Sequence, residues 1–264
     1  MSTTSKAWYS GLLNVLQNPG FWFYFPVLQT FNRYQRAIIG PLWLVIPTSL
    51  FVILLGSLYS VVLETEMKPY MMHLAVGYVT WGFITTSLVA SSQSVKGNKN
   101  FLLQGNIKAI HIILKGITNN FITTIHAAVI IPIVMIYFSF FNINILGILV
   151  AAIVFLFNAL TFGIIFALLG ARFKDLTHLI QSVMRVLFFA TPIIWLPGSV
   201  RGEIVGVFLY LNPFYYFLEV AREPFFGNWA APEAYIFVGV TSVVSFIVSD
   251  VLYRRLSRYY LLWV

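Results

Sequence analysis

What most limits this chain is the length of its apolar runs. Six stretches, near 41–63, 70–94, 113–139, 144–170, 178–196 and 234–253, are mostly apolar. Each is close to the roughly 20 residues that an α-helix needs to cross bilayer hydrocarbon. No water is at hand there for peptide N–H and C=O groups, so a spanning segment satisfies them within itself as a helix. Composition agrees: 9% of the residues are charged, where soluble domains carry about 25%. The expected fold class is an all-α integral membrane protein with six transmembrane helices. Polar residues interrupt the second and third runs, which blurs the ends of those spans.

Basic residues give the orientation, because cytoplasmic loops retain Lys and Arg. With the N-terminus inside, the cytoplasmic segments hold twelve: Lys6, Arg33, Arg36, Lys96, Lys99, Lys108, Lys115, Arg172, Lys174, Arg254, Arg255 and Arg258. The opposite side holds three, Lys68, Arg201 and Arg222, and Arg185 falls inside the fifth span. An odd number of spans would put the three C-terminal arginines outside. Both termini are therefore expected in the cytoplasm, with the chain multi-pass in the inner (plasma) membrane. A net charge of +8 could suggest nucleic acid, but the basic residues lie between long apolar runs. They read as topology determinants and contacts with anionic headgroups. The absence of cysteine excludes disulfides and thiolate metal sites. The first 20 residues lack a continuous apolar core and contain Gly11, Pro19 and Gly20, so no cleavable signal is expected.

Residues 1–40 read as an N-terminal cytoplasmic and interfacial segment ahead of a six-span domain over 41–264. Leu12, Leu13, Val15 and Leu16, then the five aromatics Phe21–Phe25, suggest an amphipathic stretch in the interface, broken at Asn18-Pro19-Gly20. The approach to the first span is Phe31-Asn32-Arg33-Tyr34-Gln35-Arg36, followed by Ile39-Gly40-Pro41-Leu42-Trp43. Cations are costly in hydrocarbon, so Arg33 and Arg36 are expected at the surface beside Tyr34, with Trp43 at headgroup depth. Pro41 suits a first helical turn, where its missing N–H is not needed.

This arginine-rich approach resembles the start of the first span in permease subunits of the polysaccharide-exporting ATP-binding-cassette transporters, which export lipid-linked O-antigen, capsular polysaccharide or teichoic acid. The similarity extends over nearly the whole chain. In the loop 96–108, Phe101, Leu102 and Leu103 form a short apolar patch between the polar Asn100 and Gln104, which asks for a membrane or protein partner. In the resembled family this is the coupling helix that docks on the ATPase subunit. An aromatic-proline pair common in the family near Ile107-Lys108 is missing here. The resemblance also implies two copies of this chain with two ATPase subunits, the conduit lying between the copies. ATP and magnesium would belong to those partners.

Candidate pathway residues come from three places. Asn119, Thr123 and His126 share a face of the third span. An imidazole at that depth suits either substrate contact or a helix–helix hydrogen bond. Thr85, Thr86, Ser87, Ser91 and Ser92, like Asn158 and Thr161, read as small packing residues. Arg185, about two turns into the fifth span, must snorkel, pair or face an aqueous cavity. Asp175, in the turn Arg172–Leu176, is expected to cap the next helix.

The outward segment 198–226 holds two apolar pieces, Ile204–Leu211 and Phe214–Val220, too short to span and too apolar for a free loop. Asn212-Pro213 resembles the family's opening of a short re-entrant helix. Phe214, Tyr215, Tyr216 and Phe217 suit either stacking on sugar faces or an interfacial belt. Glu219 and Glu223 share a face with Arg222 near them, which suggests an ion pair. All three are expected to point to the aqueous mouth of an exit gate.

Three functions compete. A gradient-driven flippase should show inverted repeats and paired intramembrane charges, and neither is evident. A membrane glycosyltransferase would want carboxylates at a sugar-phosphate site, whereas only Asp175 and Asp250 lie towards the cytoplasm. No phosphate-cradling Gly-x-x-x-x-Gly-Lys-Ser/Thr loop, metal-ligand spacing or Ser/His/Asp set occurs. No catalytic residue, metal or cofactor is expected in this chain. The leading expectation is the permease of an ATP-driven exporter of lipid-linked polysaccharide, O-antigen before capsule or teichoic acid.

Overall fold

The computed structural model describes residues 7–34, 39–103, 107–197, 203–257 and 259–263. All regular structure among these is helical. Five segments are long and apolar enough to cross a membrane: Leu42–Val62, Met67–Gly97, Ala109–Tyr137, Ile145–Arg172 and Pro232–Leu256. The first opens with a 3-10 turn from Gly40 and continues as α3 (Ile46–Val62). Before it come α1 (Leu12–Leu16) and α2 (Phe25–Tyr34), separated at the expected Pro19-Gly20 break. Next come α4 (Met67–Gly97), the short α5 (Lys99–Leu103), and a third span divided into α6 (Ala109–Ala127) and α7 (Ile130–Tyr137).

The second half departs from the sequence reading. After α8 (Ile145–Arg172), the segment expected as a fifth span forms α9 (Leu176–Ala190), only 15 residues. At 1.5 Å per residue that is about 22 Å, short of the ~30 Å of hydrocarbon. The cause is Pro192: the residue before a proline is pushed out of the helical region, and Thr191 is extended. Two short helices follow, α10 (Glu203–Leu211) and α11 (Pro213–Arg222), then α12 (Pro232–Leu256). The apolar pieces expected at 204–211 and 214–220 thus each form a helix.

α4 is the central element, packed on α3, α6, α7, α8, α9 and α11. Small residues let it approach α8: a Cβ on Gly170 would collide with the carbonyl of Ser92, and one on Gly163 would press on Ser91 Oγ. At one end of the bundle, the turns before α4, before α8 and before α12 meet. There Lys68 Nζ donates to the Ser139 carbonyl, and Asn144 N–H donates to the Pro224 carbonyl at 2.7 Å. Gly227, at φ +81°, closes this end where a side chain would strike Asn142. At the opposite end Lys96 Nζ donates to the Phe173 carbonyl. Leu102, Ala109, Val15 and Tyr260 share a buried cluster there.

Candidate functional site

The broken end of α9 is the most elaborately built place in the molecule. A helix leaves its last carbonyls without partners, and the Thr191-Pro192 break adds more. Three side chains from outside α9 meet them. Asn212 Nδ2 donates to Thr191 Oγ1 at 2.8 Å and lies 3.5 Å from the Ala190 carbonyl. Arg222 Nη2 donates to the Pro192 carbonyl at 2.8 Å, and the Tyr70 hydroxyl donates to the Ile194 carbonyl. The same Asn212 caps α11, its Oδ1 accepting from Phe214 N–H at 3.0 Å, with Pro213 in the first turn. Gly77 on α4 makes room, since a Cβ there would stand 2.7 Å from Arg222 Nη2. Without a Cβ at that position, α4 lets a guanidinium pass to the end of α9.

Arg222 is 4% exposed, which corrects the expectation that it points to the aqueous mouth. Burial draws its pKa down to about 10, against the opposing pull of Glu219 and Glu223, so it stays cationic at neutral pH. Burial, then the neighbouring Glu223, raises the Glu219 carboxyl above its usual range, while a hydrogen bond with Tyr215 works the other way. The expected contact ion pair is replaced by the hydrogen bond to the Pro192 carbonyl. The one ion pair within 4 Å among the described residues joins Arg254 to Asp250.

A second feature lies along α4 and α9. Trp81, Thr85, Gln181, Met184, Arg185, Phe188 and Phe189 line a groove of about 480 Å³. Arg185 is exposed on this face, and Thr85 Oγ1 is buried with no hydrogen-bond partner.

The third is the end that carries α5. Lys115 Nζ lies over the rings of Phe21, Phe25 and Phe101 at 5.6, 4.8 and 5.5 Å, and donates to Asn98 Oδ1 at 3.1 Å. This joins the N-terminal segment, the start of α5 and α6. Leu102 is 2% exposed within the chain's own core, whereas Leu103 is 60% exposed and Asn100 is exposed. The apolar patch is therefore split, with Phe101 and Leu102 packed inward and Leu103 facing out. Gln104 lies outside the described residues.

The remaining sequence candidates fall as follows. Thr123 Oγ1 donates to the Asn119 carbonyl, and His126 Nδ1 lies 2.7 Å from the Ile122 carbonyl, so both turn back on their own helix. The bonds across to α4 come from Asn120, through Phe83 O, Ser87 Oγ and Thr86 Oγ1. Asn158 and Thr161 reach Ser242 and Ser245 on α12. Asp175 holds the N-cap position of α9 without a side-chain hydrogen bond to it. Phe214 packs edge-on against Trp81, Tyr215 against Tyr216, and Tyr216 stacks on Phe237. Arg33 and Trp43 are exposed. Arg36 lies outside the described residues, as does the side chain of Tyr34.

Sequence reasoning passed over Tyr70, His73 and Asn120. Nothing local marks the first two, which sit in an apolar helix. Asn120 was visible only as one polar residue among several. Among the described residues no group of His, Cys, Asp and Glu could hold a metal ion.

Comparison with known proteins adds the family. The chain is 23% identical over 233 residues, 85% of its length, to an O-antigen export system permease protein, RfbA, of Klebsiella pneumoniae, covering 87% of that protein. It is 21% identical over 186 residues to the RfbA of Myxococcus xanthus, covering 69% of this chain and 70% of the relative. The model of the ABC-2 type transporter family matches residues 27–226, which take in the bundle from α2 through the capped end of α9 to α11. The chain belongs to the ABC-2 type transporter family.

Proposed function

We propose that this chain is the membrane-spanning subunit of an ATP-driven exporter of lipid-linked polysaccharide, with O-antigen as the cargo and capsular polysaccharide or teichoic acid as the alternatives. The observation that carries the reading is the groove of α4 and α9. Arg185 is the tenth residue of α9, about 14 Å from its start at 1.5 Å per residue. Hydrocarbon does not accept a guanidinium at that depth without a partner or water. The groove therefore faces a second copy of the chain across an aqueous conduit, with Trp81, Phe188 and Phe189 as smooth walls for sugar rings. Family membership and the RfbA relatives support polysaccharide as the cargo.

The chain crosses the membrane six times, α9 with the segment after it making the fifth crossing, and residues 41–264 form the permease domain. Lys96, Lys99, Lys108, Arg172, Lys174, Arg254 and Arg255 gather at the end that carries α5, and this end is the cytoplasmic one. Glu64, Glu66, Glu219, Glu223 and Glu233 lie at the other, with Lys68. α2 lies in the inner interface, with Leu28 and Phe31 exposed on one face. α10 and α11 re-enter the outer leaflet and gate the exit. Two ATPase subunits, which hold ATP and magnesium, dock at Leu103 and Asn100. Hydrolysis is theirs and not this chain's.

The reading is tested in the chain's own host. Deleting its gene should abolish surface polysaccharide, and the tagged chain should co-purify a cassette ATPase. A deletion strain with a full polysaccharide coat sinks the proposal. A single cysteine at position 99, labelled from outside intact cells by an impermeant thiol reagent, would sink the orientation.

A further inference from the structure

We propose that the apolar cavity between α4, α8, α11 and α12 holds one hydrocarbon chain of a membrane lipid. The inference stands apart from the export reading, because it needs only that the bundle lies in a bilayer. The cavity holds about 240 Å³. An apolar cavity of about 150 Å³ stays dry and accepts benzene, so in proportion this one takes about ten carbons.

Phenylalanines dominate its walls: Phe83 from α4, Phe155, Phe162 and Phe166 from α8, and Phe214 and Phe217 from α11. The polar side chains among them are turned to other helices. Asn158 Nδ2 donates to Ser242 Oγ on α12 at 2.8 Å, and Ser87 Oγ accepts from Asn120 Nδ2 on α6. Asn158 Oδ1 is buried and offers the cavity almost no accessible surface. Thr241 on α12 supplies the one other hydroxyl in the wall. A sugar ring or a phosphate would leave most of its polar groups unpaired there, at a cost that a hydrocarbon chain does not meet.

Depth selects the same ligand. Phe155 lies ten residues from the start of α8 and Phe162 ten from its end, each about 15 Å at 1.5 Å per residue. The cavity is therefore at mid-span, where the surrounding medium is hydrocarbon. Ile84, Leu88, Phe162 and Phe166 line it and are partly exposed, so the cavity opens to the surface of the bundle. Wall atoms that face a void lose their dispersion partners on that side, and a chain entering from the bilayer restores them. Phe214 and Phe217 belong to the short α11 and the other rings to the spanning helices. A chain lodged among them touches both and holds α11 against the bundle.

The experiment uses the full chain in lipid nanodiscs that contain a phospholipid with a diazirine at mid-chain, or a polyprenyl phosphate carrying the same group. After illumination, mass spectrometry locates the labelled residues. Peptides holding Phe83, Phe155, Phe162 or Phe214 should be labelled, and the more effective probe tells whether the chain is an acyl or an isoprenoid one. Ala159 also lines the cavity, and Ala159→Phe adds a ring that takes about 150 Å³ of it. Cavity labelling should then fall by about half or more. Labelling at Leu149 and Ile153, exposed on α8, should not change. Ile84→Trp, at a partly exposed wall position, is the second blocking variant, and both are checked for an unchanged melting temperature. The proposal is overturned if neither probe labels the cavity peptides, or if a folded blocking variant leaves their labelling unchanged. It is also overturned if a photoreactive benzoylphenylalanine at position 162 captures a second copy of the chain in place of lipid. Because this readout needs no transport, the binding test and the export test can fail separately.

Discussion

The two ends of the bundle solve the same problem in opposite ways. Both contain irregular backbone: the turn around α5 at one, and the break after α9 at the other. At the α5 end the chain is rich in lysine and arginine, and an exposed Leu103 stands beside them. At the α9 end the unpaired carbonyls are met by side chains from within the protein, Asn212, Arg222 and Tyr70. Backbone that water can reach needs no such provision, whereas backbone at hydrocarbon depth survives only where protein or a cavity satisfies it. On the proposed reading, the contrast separates a surface that meets an ATPase subunit from a closure that shuts the exit.

The largest expected effect is at Arg222. Arg222→Leu removes the donor to the Pro192 carbonyl and leaves Glu219 and Glu223 without a counter-charge, at a cost of about 3 kcal/mol. Thermal unfolding in nanodiscs measures it. A shift no larger than that of an exposed substitution such as Arg33→Leu would remove the buried closure from the comparison. Asn212→Ala comes next, since one side chain both caps α11 and binds Thr191; the loss should be about 2 kcal/mol, half of it from the cap.

The α5 end should respond more weakly. Lys115→Met loses the attraction of the cation for its three rings, about 1 kcal/mol at a half-buried site. Limited proteolysis should then cut after Lys99 sooner than in the unaltered chain. Leu103→Asp should change stability by less than about 0.5 kcal/mol, as exposed substitutions do, yet release the ATPase from co-purification. If Leu103→Asp keeps the ATPase while a substitution at buried Leu102 merely unfolds the chain, α5 is a structural turn and not the docking surface.

Much of the fold was legible because its signals are local. Proline and glycine marked the breaks at Pro19-Gly20 and Gly40-Pro41 and the start of α11 at Asn212-Pro213, and the structure places helix boundaries at each. The same logic applied to Thr191-Pro192 would have shortened α9. The apolar run through Trp195 hid it, because hydropathy counts residues and ignores whether the backbone can remain helical. The candidate site was less legible. Arg222 was read outward because burying a cation in lipid is costly, and Phe101 and Leu102 were grouped with Leu103 as one patch.

Sequence by itself determined that this chain is helical, membrane-embedded, basic at one end and built with two short helices before its last span. Each follows from residue type and spacing along a few turns. Only the tertiary structure decided that Arg222 turns inward to the Pro192 carbonyl, that Tyr70 reaches Ile194 across 124 residues, and that His73 and Arg222 are buried in the wall of one cavity. Such pairings join carbonyls freed by a break in one helix to donors on two others. A donor's reach depends on how the helices pack, and here on Gly77 giving the guanidinium its passage. Periodicity carries no record of that packing.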